Sequence, residues 1–201
     1  AYNVGVGFYA GKSVTTGTNN TFIGGLAGDA LSTGYENVAV GLNALSSDDV
    51  GARSVAVGAG ALRDQNMATE TSVYNVAIGH FAGGILTTGV YNTVVGGLAG
   101  DALTDADYNV AVGTNALGAD TLGSRSTAIG QGALQTQNFT TATDAYNTAV
   151  GTLAGQAITT GTNNTFVGGL AGDGTNDGVN NVAVGTNTLS ANCGDLSLIH
   201  I

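Results

Sequence analysis

Apolar and polar positions along this chain fall into one five-residue phrase that returns eleven times. It reads Asn or Ser, then Val or Thr, then a small or apolar residue, then Val or Ile, then Gly. Copies begin at Asn3, Asn20, Asn37, Ser54, Asn75, Asn92, Asn109, Ser126, Asn147, Asn164 and Asn181. Three steps of 17 residues are followed by one of 21, which makes a super-repeat of 72. A period this short and regular is the signature of stacked turns of chain, each contacting only its neighbours. The spacing predicts an all-β parallel solenoid of eleven coils, a rod about 50 Å long at the usual strand spacing.

Within each phrase the β-branched residues favour a strand, and alternate positions share a face. The fourth position is always Val or Ile, as at Val40, Val57, Ile78, Val95, Val112, Ile129, Val150, Val167 and Val184. Together with the second position, these are expected to form the inner face of each coil. The third position is usually Ala, and becomes Phe22, Val94 and Phe166 at 72-residue intervals. Apolar residues on both faces of a strand imply that both are buried. Other copies of the chain around a long axis, a homotrimer, are the simplest cover for the second face. The closing Gly, as at Gly41, Gly58, Gly79, Gly113, Gly151 and Gly185, is expected at a backbone corner that needs positive φ or close approach. The leading Asn recurs once per coil and is expected to form a side-chain ladder or to cap the turn. Leu45, Leu62, Leu117, Leu134 and Leu189 are expected to fill the core, and the remaining Thr-, Gly- and Asn-rich residues to make turns.

Every fourth coil carries four extra residues, which must bulge as a loop. Met67 and Phe139 occupy matching places there. They are candidate contact points, with packing back over the rod as the other reading. Tyr35, Tyr74, Tyr91, Tyr108 and Tyr146 stand in the turns just before or near the phrase. Tyr35 and Tyr108 join the candidate contact set, because Tyr suits recognition surfaces.

Charge narrows the partners. Four basic residues against 14 acidic ones give a net charge of −10, which argues against nucleic acid and anionic membrane surfaces. No apolar run is long enough to insert into a bilayer as a helix. Cys193 is the single cysteine, so no disulfide forms within the chain. His80 and His200 are too few for a His-based metal cluster. Asp29, Asp101 and Asp173 recur at 72-residue spacing and read as solvated turn carboxylates. Gly24-Gly25-Leu26-Ala27-Gly28 lacks the βαβ setting of a dinucleotide loop and recurs in related form along the chain. No nucleophile–base arrangement is recognisable, so no enzyme, cofactor or metal is expected. The Thr15-Thr16, Thr87-Thr88 and Thr159-Thr160 pairs recur only once per super-repeat, which does not make the continuous Thr array of an ice-binding solenoid.

The phrase Asn37-Val38-Ala39-Val40-Gly41, with Tyr146-Asn147-Thr148-Ala149-Val150-Gly151, resembles the head repeats of trimeric autotransporter adhesins and the repeats of phage tail-fibre-like proteins. The resemblance spans Asn3 to about Leu189. It implies three left-handed parallel β-rolls around a common axis, with Val40, Val57, Val112 and Val184 inside and the following glycines at corners. The 17-residue coil is longer than the usual adhesin-head coil. The chain opens already inside a repeat and reads as part of something longer. Residues 1–194 are read as one repetitive rod. Residues 195–201 depart from the phrase and are read as a boundary artefact or foreign reading frame. The expected function is structural: a fibre segment on a virion tail or cell surface, giving reach and multivalent display towards a host glycan or protein. The alternative is a single-chain or laterally assembling solenoid in an extracellular filament.

Overall fold

The computed structural model describes residues 2–190 and 199–200. Described residues form strands and turns without helix. Short strands carry each phrase: β1 (Val4–Val6), β2 (Thr21–Ile23), β3 (Val38–Val40), β4 (Val55–Val57), β5 (Val76–Ile78), β6 (Thr93–Val95) and β7 (Val110–Val112). They continue as β9 (Thr127–Ile129), β11 (Thr148–Val150), β12 (Thr165–Val167), β13 (Val182–Val184) and β14 (Ile199–His200). Together they make one 12-stranded parallel sheet in chain order. Register has no slip: Val38 pairs with Val55, Ala39 with Ala56 and Val40 with Val57. Two further strands, β8 (Gly123–Ser124) and β10 (Thr143–Asp144), pair beside the second 21-residue coil. The bridge between Ala52 and Ser72 marks the same place one super-repeat earlier.

Each strand ends at its Gly, where φ is +136° at Gly41 and Gly58, +135° at Gly113 and +139° at Gly79 and Gly151. A Cβ on Gly41 would lie 2.5 Å from the carbonyl oxygen of Gly58 in the next coil. Positive φ and close stacking of the corners both require glycine there. Behind the sheet a turn brings a second small residue against the strand, and Ala44, Ala61, Ala99 and Ala116 are completely buried.

The faces are inverted relative to the expectation from the apolar pattern. The third position of the phrase, the middle residue of each strand, points inward, and Ala39, Ala56, Ala77, Ala128, Ala149 and Ala183 are fully buried. The fourth position points outward. Val40, Val57, Val95, Val112 and Val150 are half-buried, while Ile78, Ile129, Val167 and Val184 are exposed. These nine residues are therefore not the core of the coil. The physical reason is width: the interior is closed by Ala on both walls and admits side chains of limited bulk. The larger β-branched groups occupy the outer face, where each stacks on its counterpart in the next coil.

The exceptions prove the width limit. Phe22 and Phe166 are buried at the third position. Each is flanked by glycine at the ninth position of its own coil and of the preceding one. A Cβ on Gly28 would lie 2.2 Å from the Phe22 ring, and one on Gly11 2.6 Å from it. Around Phe166 the corresponding distances are 2.5 Å for Gly172 and 2.8 Å for Gly155. Where the third residue is Ala and its own coil's ninth position is Leu, as at Leu45, Leu62, Leu117 and Leu134, that leucine fills the space. Where the ninth is Gly, the twelfth residue supplies the bulk, as at Leu31, Leu86, Leu103 and Ile158. The bulk of the core thus moves among the third, ninth and twelfth positions from coil to coil.

The final segment, expected to leave the repeat, keeps step at its end. Ile199 and His200 pair with Val182 and Ala183, one 17-residue step on. The rest of residues 195–201, and Cys193, lie outside the described residues.

The width rule makes a paired prediction. Val94 sits at the same super-repeat position as Phe22 and is flanked by Gly83 and Gly100. Val94→Phe should change stability by less than ~1.5 kcal/mol, the range for tolerated core swaps. Ala111→Phe meets Leu117 and should cost about 1–3 kcal/mol or more, a drop of roughly 2–4 °C per kcal/mol in Tm for a chain this size. Equal thermal melts for the two variants would overturn the volume-compensation account.

Candidate functional surface

Inside the rod, the leading Asn closes its own coil and ties it to the next. Asn37 Nδ2 donates to the Gly51 carbonyl at 2.9 Å, and its Oδ1 accepts the Ser54 backbone N–H at 2.8 Å. Asn92 does the same, donating to the Ala106 carbonyl at 2.7 Å and accepting from the Asn109 N–H at 2.9 Å. All of this is buried, so each bond satisfies a group that water does not reach. The recurrent Asn is a structural ladder, as its spacing led us to expect.

The ladder is interrupted where Ser54 and Ser126 replace Asn, and the 21-residue coil repairs it. Gln65 Oε1 accepts from Asn75 Nδ2 at 3.0 Å, while Gln65 Nε2 donates to Asp48 Oδ2 at 2.6 Å and to Ser54 Oγ at 3.0 Å. Asp48 Oδ1 accepts the backbone N–H groups of Gly51 and Met67. Gln137, Asp120, Ser126 and Asn147 reproduce the node one super-repeat later. Sequence reading missed Asp48, Asp120, Gln65 and Gln137. The available signal was their 72-residue recurrence at a position that is apolar at Val14, Leu31, Leu86, Leu103 and Ile158.

The same node settles the extra loops. Met67 and Phe139, candidate contacts from the sequence, are buried at 5% and 6% exposure. Their backbone N–H groups are held by the Asp48 and Asp120 carboxylates. They pack over the rod and present no surface for a partner.

What the rod does present is its outer strand face. The second and fourth positions form two parallel ranks of Val, Thr and Ile with no charged residue in either. Along one border of these ranks, the residue just before the phrase adopts positive φ at Glu36, Arg53, Tyr74, Tyr91, Tyr108, Arg125 and Tyr146. Their side chains form a ladder. Tyr74 and Tyr91 stack with centroids 5.6 Å apart, and Tyr91 and Tyr108 at 5.0 Å with 5° between the ring planes. Arg53 lies 5.0 Å from the Tyr35 ring and 5.5 Å from Tyr74. Arg125 lies 4.8 Å from Tyr108 and 5.8 Å from Tyr146. Arg53 pairs with Glu36 at 2.9 Å and Arg125 with Asp144 at 3.0 Å. Those hydrogen-bonded carboxylates hold both guanidinium groups above their ordinary pKa. Tyr35 is half-buried under Arg53, while Tyr108 stands 47% exposed in the ladder.

The remaining chemistry-bearing residues are dispersed. His80 is exposed beside Phe81. Asp101 is partly desolvated, which raises its carboxyl pKa. Among the described residues no three His, Cys, Asp or Glu converge in a way that would hold a metal ion, and no helix is long and apolar enough to cross a membrane. No family model, curated protein or solved structure matches the chain.

The Asn ladder is testable by deletion. Asn92→Ala leaves the Ala106 carbonyl and the Asn109 N–H buried without their partner. At about 1–3 kcal/mol for each orphaned group, the expected loss is at least ~2 kcal/mol in chemical or thermal unfolding. The exposed Thr160→Ala should stay within ~0.5 kcal/mol of the parent. A loss at Asn92 no larger than at Thr160 would remove the ladder from the stability account.

Proposed function

We infer that this chain is a non-enzymatic fibre segment whose copies associate side by side, as a homotrimer about the rod axis. The outer strand face carries this reading. It is an uncharged, β-branched stripe repeated on every coil of a chain with net charge −10, and much of it is open in the single chain. Contiguous apolar surface of this kind marks an association site. Sequence reading assigned the homotrimer contact to the Ala rank; the Ala rank is core, so the contact moves to the Val and Ile rank.

A rod assembled this way supplies reach and repeated display. Three copies would present each turn three times around the axis, so weak contacts gain through effective concentration. The resemblance to adhesin heads and tail-fibre repeats supports reading such a segment as part of a virion tail or cell surface, facing a host glycan or protein. Its acidity argues against nucleic acid as that partner, and the reading needs no cofactor and no insertion into a membrane.

Solution mass by light scattering tests the assembly. Three chains of 19.6 kDa give roughly 59 kDa. Val95→Lys with Val112→Lys puts charge on the outer face of adjacent coils and should return the mass to one chain while the β-rich circular dichroism persists. A parent that runs as one chain sinks the trimer; a large polydisperse mass replaces it with the laterally assembling filament.

A further inference from the structure

The tyrosine ladder has a chemistry of its own. Tyr74, Tyr91 and Tyr108 are 17 residues apart in sequence yet adjacent in space, at 5.6 and 5.0 Å between ring centroids. Their exposures are 46%, 43% and 47%, so the rings are open to a small oxidant. Arginines bound the run at both ends, with Arg53 over Tyr74 and Arg125 over Tyr108. Guanidinium groups do not couple, so the run is limited to three phenols. No disulfide within the chain is open to a sequence with one cysteine.

We propose that Tyr74, Tyr91 and Tyr108 form an oxidative cross-linking site, at which a peroxide-driven one-electron oxidant joins neighbouring phenols as dityrosine and staples consecutive coils. Each of two adjacent phenols gives one electron and one proton to the oxidant. The two phenoxyl radicals form a carbon–carbon bond between ring positions ortho to the oxygens. The hydrogens on those carbons then move to the oxygens and restore both phenols. One hydrogen peroxide takes up the two electrons and two protons and leaves as two waters. The in-register stack holds the coupling carbons one coil apart before oxidation begins, so coupling within the chain competes well against encounter between chains.

The experiment treats the 201-residue chain, dilute, with a peroxidase and hydrogen peroxide. Dityrosine is read by its fluorescence and by mass spectrometry of the digest. The expected products are peptides bearing Tyr74 joined to Tyr91, or Tyr91 to Tyr108, lighter by two hydrogens, in protein that still migrates as one chain under denaturing conditions. Tyr91→Phe keeps the ring and the fold but should abolish the signal. Tyr74 and Tyr108 are then two coils apart, about 9–10 Å, and do not couple. Tyr74→Phe and Tyr108→Phe should each leave one product, and Tyr146→Phe should leave both. Undiminished dityrosine in Tyr91→Phe, products that migrate as more than one chain, or no coupling in the parent would each overturn the proposal.

Discussion

Zero-slip stacking is the constraint on which everything else depends. Each residue in the sheet sits directly over its counterpart one coil away, so every side chain has its own repeat as a neighbour. A bulky group therefore displaces volume from the coils beside it as well as from its own. The Phe22 environment follows from this: the glycines that make room are Gly28 in its own coil and Gly11 in the coil before. The 72-residue super-repeat is the period of this compensation. A rod of identical coils would not need it.

Polar groups obey the same rule. A side-chain amide that donates within its coil and accepts from the next propagates along the axis only while every coil carries Asn. Ser54 is too short to reach across its own coil, and the polar chain would stop there with buried groups unsatisfied. Gln65 stands at the buried twelfth position, level with Asp48 and just ahead of the four added residues, and the Asn75 amide is taken up by the Gln65 carbonyl oxygen. The insertion is thus part of the interior's hydrogen bonding, and the burial of Met67 and Phe139 follows from where it starts. A loop whose first residues are anchored to a buried carboxylate is not a free display loop.

Periodicity made the parallel solenoid, the corner glycines and the Asn ladder legible, because each is a statement about one residue repeated at one step. The orientation of the strand was not legible from the same pattern. Reading the larger apolar residues as the inside assumes an interior with room for them. Here Ala39 faces a second wall of Ala44 and Leu45, all fully buried, and the wider residues lie outside. The clue was present in the sequence: the third position enlarges to Phe only where glycines flank it at the ninth, whereas the fourth position never varies with its surroundings. Covariation of size identifies the inner face where hydrophobicity alone does not. The tyrosine ladder escaped for another reason. Taken one at a time as turn or contact residues, Tyr74, Tyr91 and Tyr108 do not show the stack that their shared 17-residue step makes.

Charge placement bears on how such rods would meet. The outer ranks carry none, and their border neutralises its own cations through Glu36–Arg53 and Asp144–Arg125. The acidic excess lies instead in the turns, at residues such as Asp49, Asp105 and Asp177. Rods packed face to face around one axis bury the neutral ranks and turn the acidic segments outward, where solvent and counterions screen them. Open lateral addition would bring acidic turns of successive rods against one another, and like charges in contact oppose growth. On the reading proposed above, the same net charge that argues against nucleic acid would favour a closed assembly over an extending one, with no contact needed beyond those the uncharged face provides.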